Sequence, residues 1–352
     1  MTATGDPNRL ATSGGTASPE LPALVFGADA LTCGLQSMPR PYALITQPEP
    51  LSLLRQRSAG DLGGAAAVEI VSSLAEADLD RLERKLPPVQ AVFGLGGGTA
   101  MDTAKFVAWR RAKPLYLAPS AVSVDACVTN TIAVRSGGTV EYRGFVVAEQ
   151  VLVDVTLIRQ APARMNRAGI GDLLSIHTAL RDWQSGMANG GARVIPGVAA
   201  QAAEIFESIT ALAGDVFAVS PPGIEALIRA YLAINQLCLE VGHAQAEEGS
   251  EHYFAYCLEN VTGRSFIHGE AVTLGTVLMA ELQHNAPERV RSVADGAGVQ
   301  WRPADLGVRP EELARILRRL PAFVREARLP WSVIDEVRLD EAAASSLAEA
   351  AQ

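Results

Sequence analysis

The chain has 352 residues, of which 48% are hydrophobic and 20% charged, with a formal net charge of −9. That length provides for two domains, each able to bury its own core. The acidic balance excludes nucleic acid as the main partner, and no apolar run reaches the roughly 20 residues that would insert across a membrane.

Residues 1–22 open with MTATGDPNRLATSGGTASPE, rich in Thr, Ser, Gly and Pro and without the apolar segment of a secretory signal; they read as a disordered leader. Ala23–Phe26 reads as a strand and Tyr42–Thr46 as a second. Gln47-Pro48-Glu49-Pro50 reads as a loop, because two prolines interrupt regular structure. Leu51–Arg57 follows as a short helix and Ala66–Val71 as a third strand. Ala75–Lys85 is amphipathic, with Leu79, Leu82 and Leu86 near helical spacing.

The apolar run Ala91–Phe93 then leads through Gly94 to Gly96, Gly97 and Gly98. Thr99 is placed to cap a helix from about Ala100 to Arg111. A strand, a glycine turn and a helix start let backbone N–H groups approach a phosphate at the positive end of the helix. The same pattern also suits a tight turn that binds nothing. Pro114–Ala118 is the next strand, Thr131–Arg135 and Thr139–Phe145 form a hairpin around Ser136-Gly137-Gly138, and Val151–Val155 is a further strand. Continuous apolar strands alternating with helices indicate a parallel sheet covered on both faces, with ligands beyond the carboxyl ends of its strands.

After Pro162 the pattern becomes helical. Gly169–Gln184, Val198–Ala213, Pro222–Gly242, Ser250–Val261, His268–His284, Pro287–Gly296, Arg309–Arg328 and Ala342–Ala350 are rich in Ala and Leu with polar breaks between them. The expected fold class is therefore an α/β N-terminal nucleotide-binding domain with a parallel sheet, residues 23–162, followed by an all-α C-terminal domain, residues 163–352.

All five histidines (His177, His243, His252, His268 and His284) lie in the helical half. His252 follows Glu251 at a helix start, His268 opens another helix, and Asp172 lies in GIGDLLSIHTALRDW. One carboxylate and two imidazoles form a donor set for a divalent metal. An Asp in a first helical turn equally complements the helix dipole, and a histidine equally serves as a hydrogen-bonded structural residue. The cysteines Cys33, Cys127, Cys238 and Cys257 show no CxxC spacing and read as buried free thiols of a cytoplasmic protein.

Four blocks in order, GLGGGTAMDTAK, PSAVSVDACVT, GDLLSIHTALRDW, and GSEH with HGE, resemble the superfamily of dehydroquinate synthase-like and iron-type alcohol dehydrogenase proteins. Within it the chain most resembles the sn-glycerol-1-phosphate dehydrogenases. The resemblance implies a dehydroquinate synthase-like fold and an NAD- or NADP-linked oxidoreductase. Gly96, Gly97, Gly98, Thr99 and Asp102 would lie against the dinucleotide, with further cofactor contacts from Ser120, Ser123 and Thr129. Asp125 would sit at the substrate, and Asp172, His252 and His268 would bind one catalytic Zn2+, or another divalent metal. A homo-oligomer acting on a small-molecule substrate is implied as well.

Within the superfamily, iron-type members place a His one helical turn after the first Asp. Here that position is Ile176, which has no ligand atom, so the zinc branch fits better. Cyclases of the dehydroquinate synthase type usually carry Glu where Asp172 stands and lack Lys105; an NAD-using cyclase or lyase is the alternative reading. Two departures bear on the substrate. Tyr256 replaces a substrate-facing His of the glycerol phosphate enzymes, and Ala121-Val122-Ser123-Val124-Asp125-Ala126 lacks the usual Pro and Gly. A small polyol or another phosphorylated alcohol and its ketone are thus the expected substrate class. An acidic residue after the second strand favours NAD. Gln47 is neutral there, which leaves NADP open, with Glu49 as the other group able to meet the ribose.

Overall fold

The computed structural model describes residues 20–58, 62–136 and 139–351. The expected leader lies mostly outside them, as do Gly137 and Gly138 of the hairpin turn. The chain divides into two compact units, with the division between Asn166 and Arg167.

The first unit carries β1 (Ala23–Gly27), α1 (Ala30–Ser37), β2 (Tyr42–Thr46), α2 (Pro48–Arg57), β3 (Ala65–Ile70), α3 (Glu76–Lys85), β4 (Ala91–Gly96), α4 (Gly98–Arg111) and β5 (Leu115–Pro119). A 3-10 turn at Asp125–Cys127 leads to β6 (Thr131–Ser136), β7 (Thr139–Phe145) and β8 (Gln150–Asp154), then to α5 (Val155–Ile158); α6 (Ala163–Ala168) spans the division, with Ala168 in the second unit. Six strands form one sheet in the order β1-β8-β5-β4-β2-β3, and every pairing in it is parallel. β2 and β4 are buried along their whole length, which is why they read as uninterrupted apolar runs rather than as alternation. Strands β6 and β7 pair antiparallel as a separate hairpin.

The second unit is helical: α7 (Gly171–Leu174), α8 (Ile176–Ala188), α9 (Pro196–Thr210), α10 (Ala213–Phe217), α11 (Pro221–Val241), α12 (Ser250–Thr262), α13 (His268–Leu282), α14 (Pro287–Ala297), α15 (Pro310–Ala327), α16 (Val333–Glu336) and α17 (Glu341–Ala350). The expected architecture of a parallel α/β part followed by an all-α part is therefore present. Among the described residues no helix is long and apolar enough to cross a membrane.

Several local expectations differ from the structure. Pro48 begins α2 instead of lying in a loop. Its ring removes an N–H that has no partner in a first helical turn anyway, and its fixed φ suits that turn. Thr99 is not a cap: Gly97 takes the N-cap position of α4 and Thr99 lies inside the first turn. The helix expected over Gly169–Gln184 is two pieces that meet at Ser175. The one expected over Val198–Ala213 ends at Thr210, with a separate short helix following. Cys127, Cys238 and Cys257 are buried free thiols as expected, whereas Cys33 is exposed on α1.

Candidate functional site

In the helical unit, three helix starts converge. Asp172 is in the first turn of α7, His252 in that of α12, and His268 opens α13. Ligand atoms of the three side chains all lie within 4.8 Å of one another. Nε2 of His268 is 3.4 Å from Oδ1 of Asp172, and the two imidazole rings are 5.4 Å apart.

Backbone contacts explain this closeness. A Cβ on Gly171 would stand 2.1 Å from the carbonyl oxygen of Gly269, and one on Gly269 would stand 1.9 Å from that of Ala168. The starts of α7 and α13 thus touch backbone to backbone, at a separation that only glycine permits. A Cβ on Gly275 would similarly meet the Glu251 carbonyl at 2.5 Å, which draws α13 against α12. The Tyr231 hydroxyl donates to Gly169 O at 2.5 Å and pins the approach to α7.

Behind the three side chains lies a buried polar network. Nδ1 of His252 is 3.0 Å from Oε1 of Glu251. The same oxygen accepts from Gly249 N at 2.5 Å, and Oε2 accepts from Thr178 Oγ1 at 2.7 Å. Asp182 Oδ2 accepts from the amide and hydroxyl of Ser250 at 2.8 and 2.5 Å. Its Oδ1 accepts from Val333 N at 2.8 Å and Gln283 Nε2 at 3.0 Å. Burial pushes both carboxyls up to about 7, aided at Asp182 by the charge of Glu251. Burial also lowers His252 to about 4, so its imidazole is neutral at pH 7, the form that ligates a metal.

Asp172 and His252 are buried, whereas the His268 side chain is 36% exposed, so the cluster is accessible from its His268 side. Two neutral-capable imidazoles and a carboxylate fit zinc, and a three-ligand set leaves a fourth position for a substrate. The Tyr256 ring lies 6.2 Å from that of His252, one turn along α12. The remaining histidines serve elsewhere. His177 is bonded through Nε2 to Asn285 O at 2.7 Å and stacks on Phe206. His243 packs edge-on against Trp183. His284 lies just beyond the C-cap of α13 with a φ of 51°.

In the α/β unit the register places Gly96 beside Pro119 and Thr46 beside Leu95. The residues just after three neighbouring strands, Gln47, Gly97 and Ser120, therefore follow one another along the carboxyl edge of the sheet. Gly96 has a φ of +155°, a backbone conformation rarely adopted by other residues. Gln47 Oε1 accepts from Gly97 N at 2.9 Å, while Ser120 N donates to Gly96 O at 2.8 Å. Gly97, Gly98 and Thr99 are half-buried at the start of α4, where first-turn amides have no partner inside the helix.

Asp102 and Thr129 meet through a third side chain. Lys105 Nζ, 1% exposed, is 2.7 Å from Asp102 Oδ1. It donates to Thr131 O at 2.7 Å and to Thr129 Oγ1 at 3.1 Å. Ala133 N also donates to Asp102 Oδ1 at 3.3 Å, so this buried ion pair fastens β6 to α4. Burial raises the Asp102 carboxyl against the opposing pull of Lys105. Ser123 is buried, and Asp125 is half-buried at the start of the 3-10 turn.

Glu251, Asp182 and Gln283 were not singled out as site residues by the sequence reading. Glu251 had one signal, its place beside His252. Asp182 had none, because Arg181, Gln184, Thr178 and Ser185 around it give α8 an ordinary polar stretch there.

A profile of the iron-containing alcohol dehydrogenase family matches residues 57–162. The glycerol-1-phosphate dehydrogenase, NAD(P)+, of Aeropyrum pernix is 28% identical over 262 residues, covering 74% of this chain and 73% of that protein. The enzyme of the same name from Pyrobaculum neutrophilum is 29% identical over 276 residues, 74% and 80% of the two chains. In sequence the chain is similar to glycerol-1-phosphate dehydrogenases. A probable glycerol dehydrogenase from Sinorhizobium meliloti superposes with a TM-score of 0.70 at 22% identity, covering 94% of this chain and 95% of that one, and so shares the fold. The resemblance carried by the four sequence blocks, and the fold it implied, are borne out.

Proposed function

We propose that this chain is a metal-assisted, NAD(P)-linked oxidoreductase that interconverts a small polyol or phosphorylated alcohol and its ketone. The observation that carries this reading is the convergence of Asp172, His252 and His268 within 4.8 Å. Relatives named as NAD(P)+-dependent glycerol-1-phosphate dehydrogenases support the cofactor and the substrate class. In this reading residues 23–162 carry the dinucleotide and residues 163–352 the metal and substrate; the protein is cytoplasmic and a homo-oligomer.

Asp172, His252 and His268 would hold zinc, which when bound supplies a Lewis acid to the substrate oxygen. NAD(P) supplies the hydride acceptor or donor. The backbone of Gly96, Gly97, Gly98 and Thr99 would hold the pyrophosphate at the start of α4, with Ser120 beside it. Asp102 acts on the cofactor through the Lys105 pair that anchors Thr129, and Ser123 supports the same segment. Asp125 orients a second hydroxyl or relays a proton, and Tyr256 offers the substrate a neutral hydrogen-bonding group.

The test is the net absorbance change of NADH and NADPH with dihydroxyacetone phosphate and a panel of polyol-derived ketones. Consumption of reduced cofactor by zinc-loaded protein is expected. Turnover without net change in NADH would replace this reading with the cyclase alternative. Absence of bound zinc, with no activity gained on adding it, would overturn it altogether.

A further inference from the structure

We infer that Glu251 is a positioning residue that holds His252 as the Nδ1–H tautomer, so that Nε2 presents its lone pair to a metal cation. The inference rests on the metal reading of Asp172, His252 and His268.

The hydrogen bonds decide the tautomer. Oε1 of Glu251 faces two nitrogens, Gly249 N at 2.5 Å and His252 Nδ1 at 3.0 Å. A backbone amide can only donate, so Oε1 is an acceptor. A hydroxyl oxygen is a poorer acceptor than a carbonyl or carboxylate oxygen, so the short 2.5 Å amide contact favours Oε1 as the unprotonated oxygen and places any proton on Oε2, which faces the Thr178 hydroxyl at 2.7 Å. That hydroxyl can then accept, because its own proton has the Ser175 carbonyl at 3.2 Å. With the carboxyl ionised or protonated on Oε2, Oε1 is an acceptor and Nδ1 of His252 donates to it. The lone pair of the neutral imidazole is then on Nε2.

The arrangement is held from both sides. Glu251 is fully buried and His252 is 3% exposed. The preceding residue, Ser250, is gripped through its amide and hydroxyl by Asp182. The Glu251 carbonyl lies against Gly275 of α13, where a Cβ would come within 2.5 Å. A carboxylate behind a ligating histidine fixes ring orientation and raises the basicity of the free nitrogen.

The test uses full-length protein stripped of metal and titrated with zinc against a chromophoric chelator. Glu251→Ala is expected to weaken zinc binding by about 10–100-fold. Glu251→Gln, which keeps a carbonyl oxygen for Nδ1–H and turns its NH2 toward Thr178, is expected to lose less. In parallel, long-range nitrogen–proton NMR of the imidazoles in the metal-free protein is expected to show His252 as Nδ1–H in wild type and in Glu251→Gln. If Glu251→Ala does not fold, the Gln variant and the tautomer measurement carry the test. Zinc affinities within twofold of wild type in folded variants, or an Nε2–H tautomer in wild type, would overturn the role of Glu251 while leaving the metal reading intact. A wild-type protein that binds no zinc would overturn the metal reading itself.

Discussion

At the scale of single residues, Gln47 links cofactor choice to the glycine turn. It directly follows β2, and its side chain accepts the Gly97 amide proton at 2.9 Å, on the edge where an acidic residue would meet the adenosine ribose. Gln47→Glu keeps an acceptor for that amide but adds a negative charge that repels a 2′-phosphate. The expected outcome is a drop of about tenfold in kcat/KM for NADP relative to NAD, equivalent to about 1.4 kcal/mol. Steady-state rates with both cofactors check it, and an unchanged ratio would place Gln47 away from the ribose. Asp182 governs a different property. Its carboxyl is raised from 3.8 to about 7, first by burial and then by Glu251. Between those values the folded chain holds a proton that the unfolded chain has released. The stabilising contribution is therefore complete below the unfolded value and is lost as pH rises through the folded one. Melting of the metal-free protein is expected to show a larger cost of Asp182→Asn at about pH 5 than at about pH 8. A cost that does not vary with pH would remove Asp182 as its source.

At the scale of elements, the starts of α7, α12 and α13 matter more than their lengths. Gly269→Ala would push a methyl group against the backbone carbonyl of Ala168, which cannot turn aside as a side chain can. A loss of at least about 1–3 kcal/mol is expected in denaturant unfolding, together with weaker zinc binding, because His268 would move with its helix. Gly197→Ala on α9, where a Cβ meets nothing within 4 Å, is the control and is expected to be neutral or slightly stabilising. Equal effects of the two substitutions would show that the close approach is not what places His268. The strands β2 and β4 were legible in the sequence because burial on both faces leaves an uninterrupted apolar run. The break at Ser175 was not, because no Gly or Pro marks it. The start of α2 was misjudged because proline disrupts helix interiors but suits first turns.

At the scale of the whole molecule, a metal bound only by the folded state adds to stability by mass action. Zinc at 100 times its dissociation constant is expected to stabilise the protein by about 2.7 kcal/mol, seen as a rise in melting temperature that chelation reverses. His268→Ala is expected to lose that rise and its stoichiometric zinc while keeping its circular dichroism spectrum. Retained metal in that variant would remove His268 from the site. The sequence by itself determined the alternation of strands and helices, the change to an all-helical half, the glycine turn after β4 and, through its motif blocks, the superfamily it resembles. These are properties of local periodicity and short spacing, which a chain carries whatever its distant contacts. Only the tertiary structure decided that Asp172, His252 and His268 lie together while His177 stacks on Phe206. It also decided that Glu251 and Asp182 support the first group and that Gln47 covers Gly97. Each depends on backbones packed at glycine contacts, or on side chains brought together across long stretches of chain, for which no local pattern of residues is diagnostic.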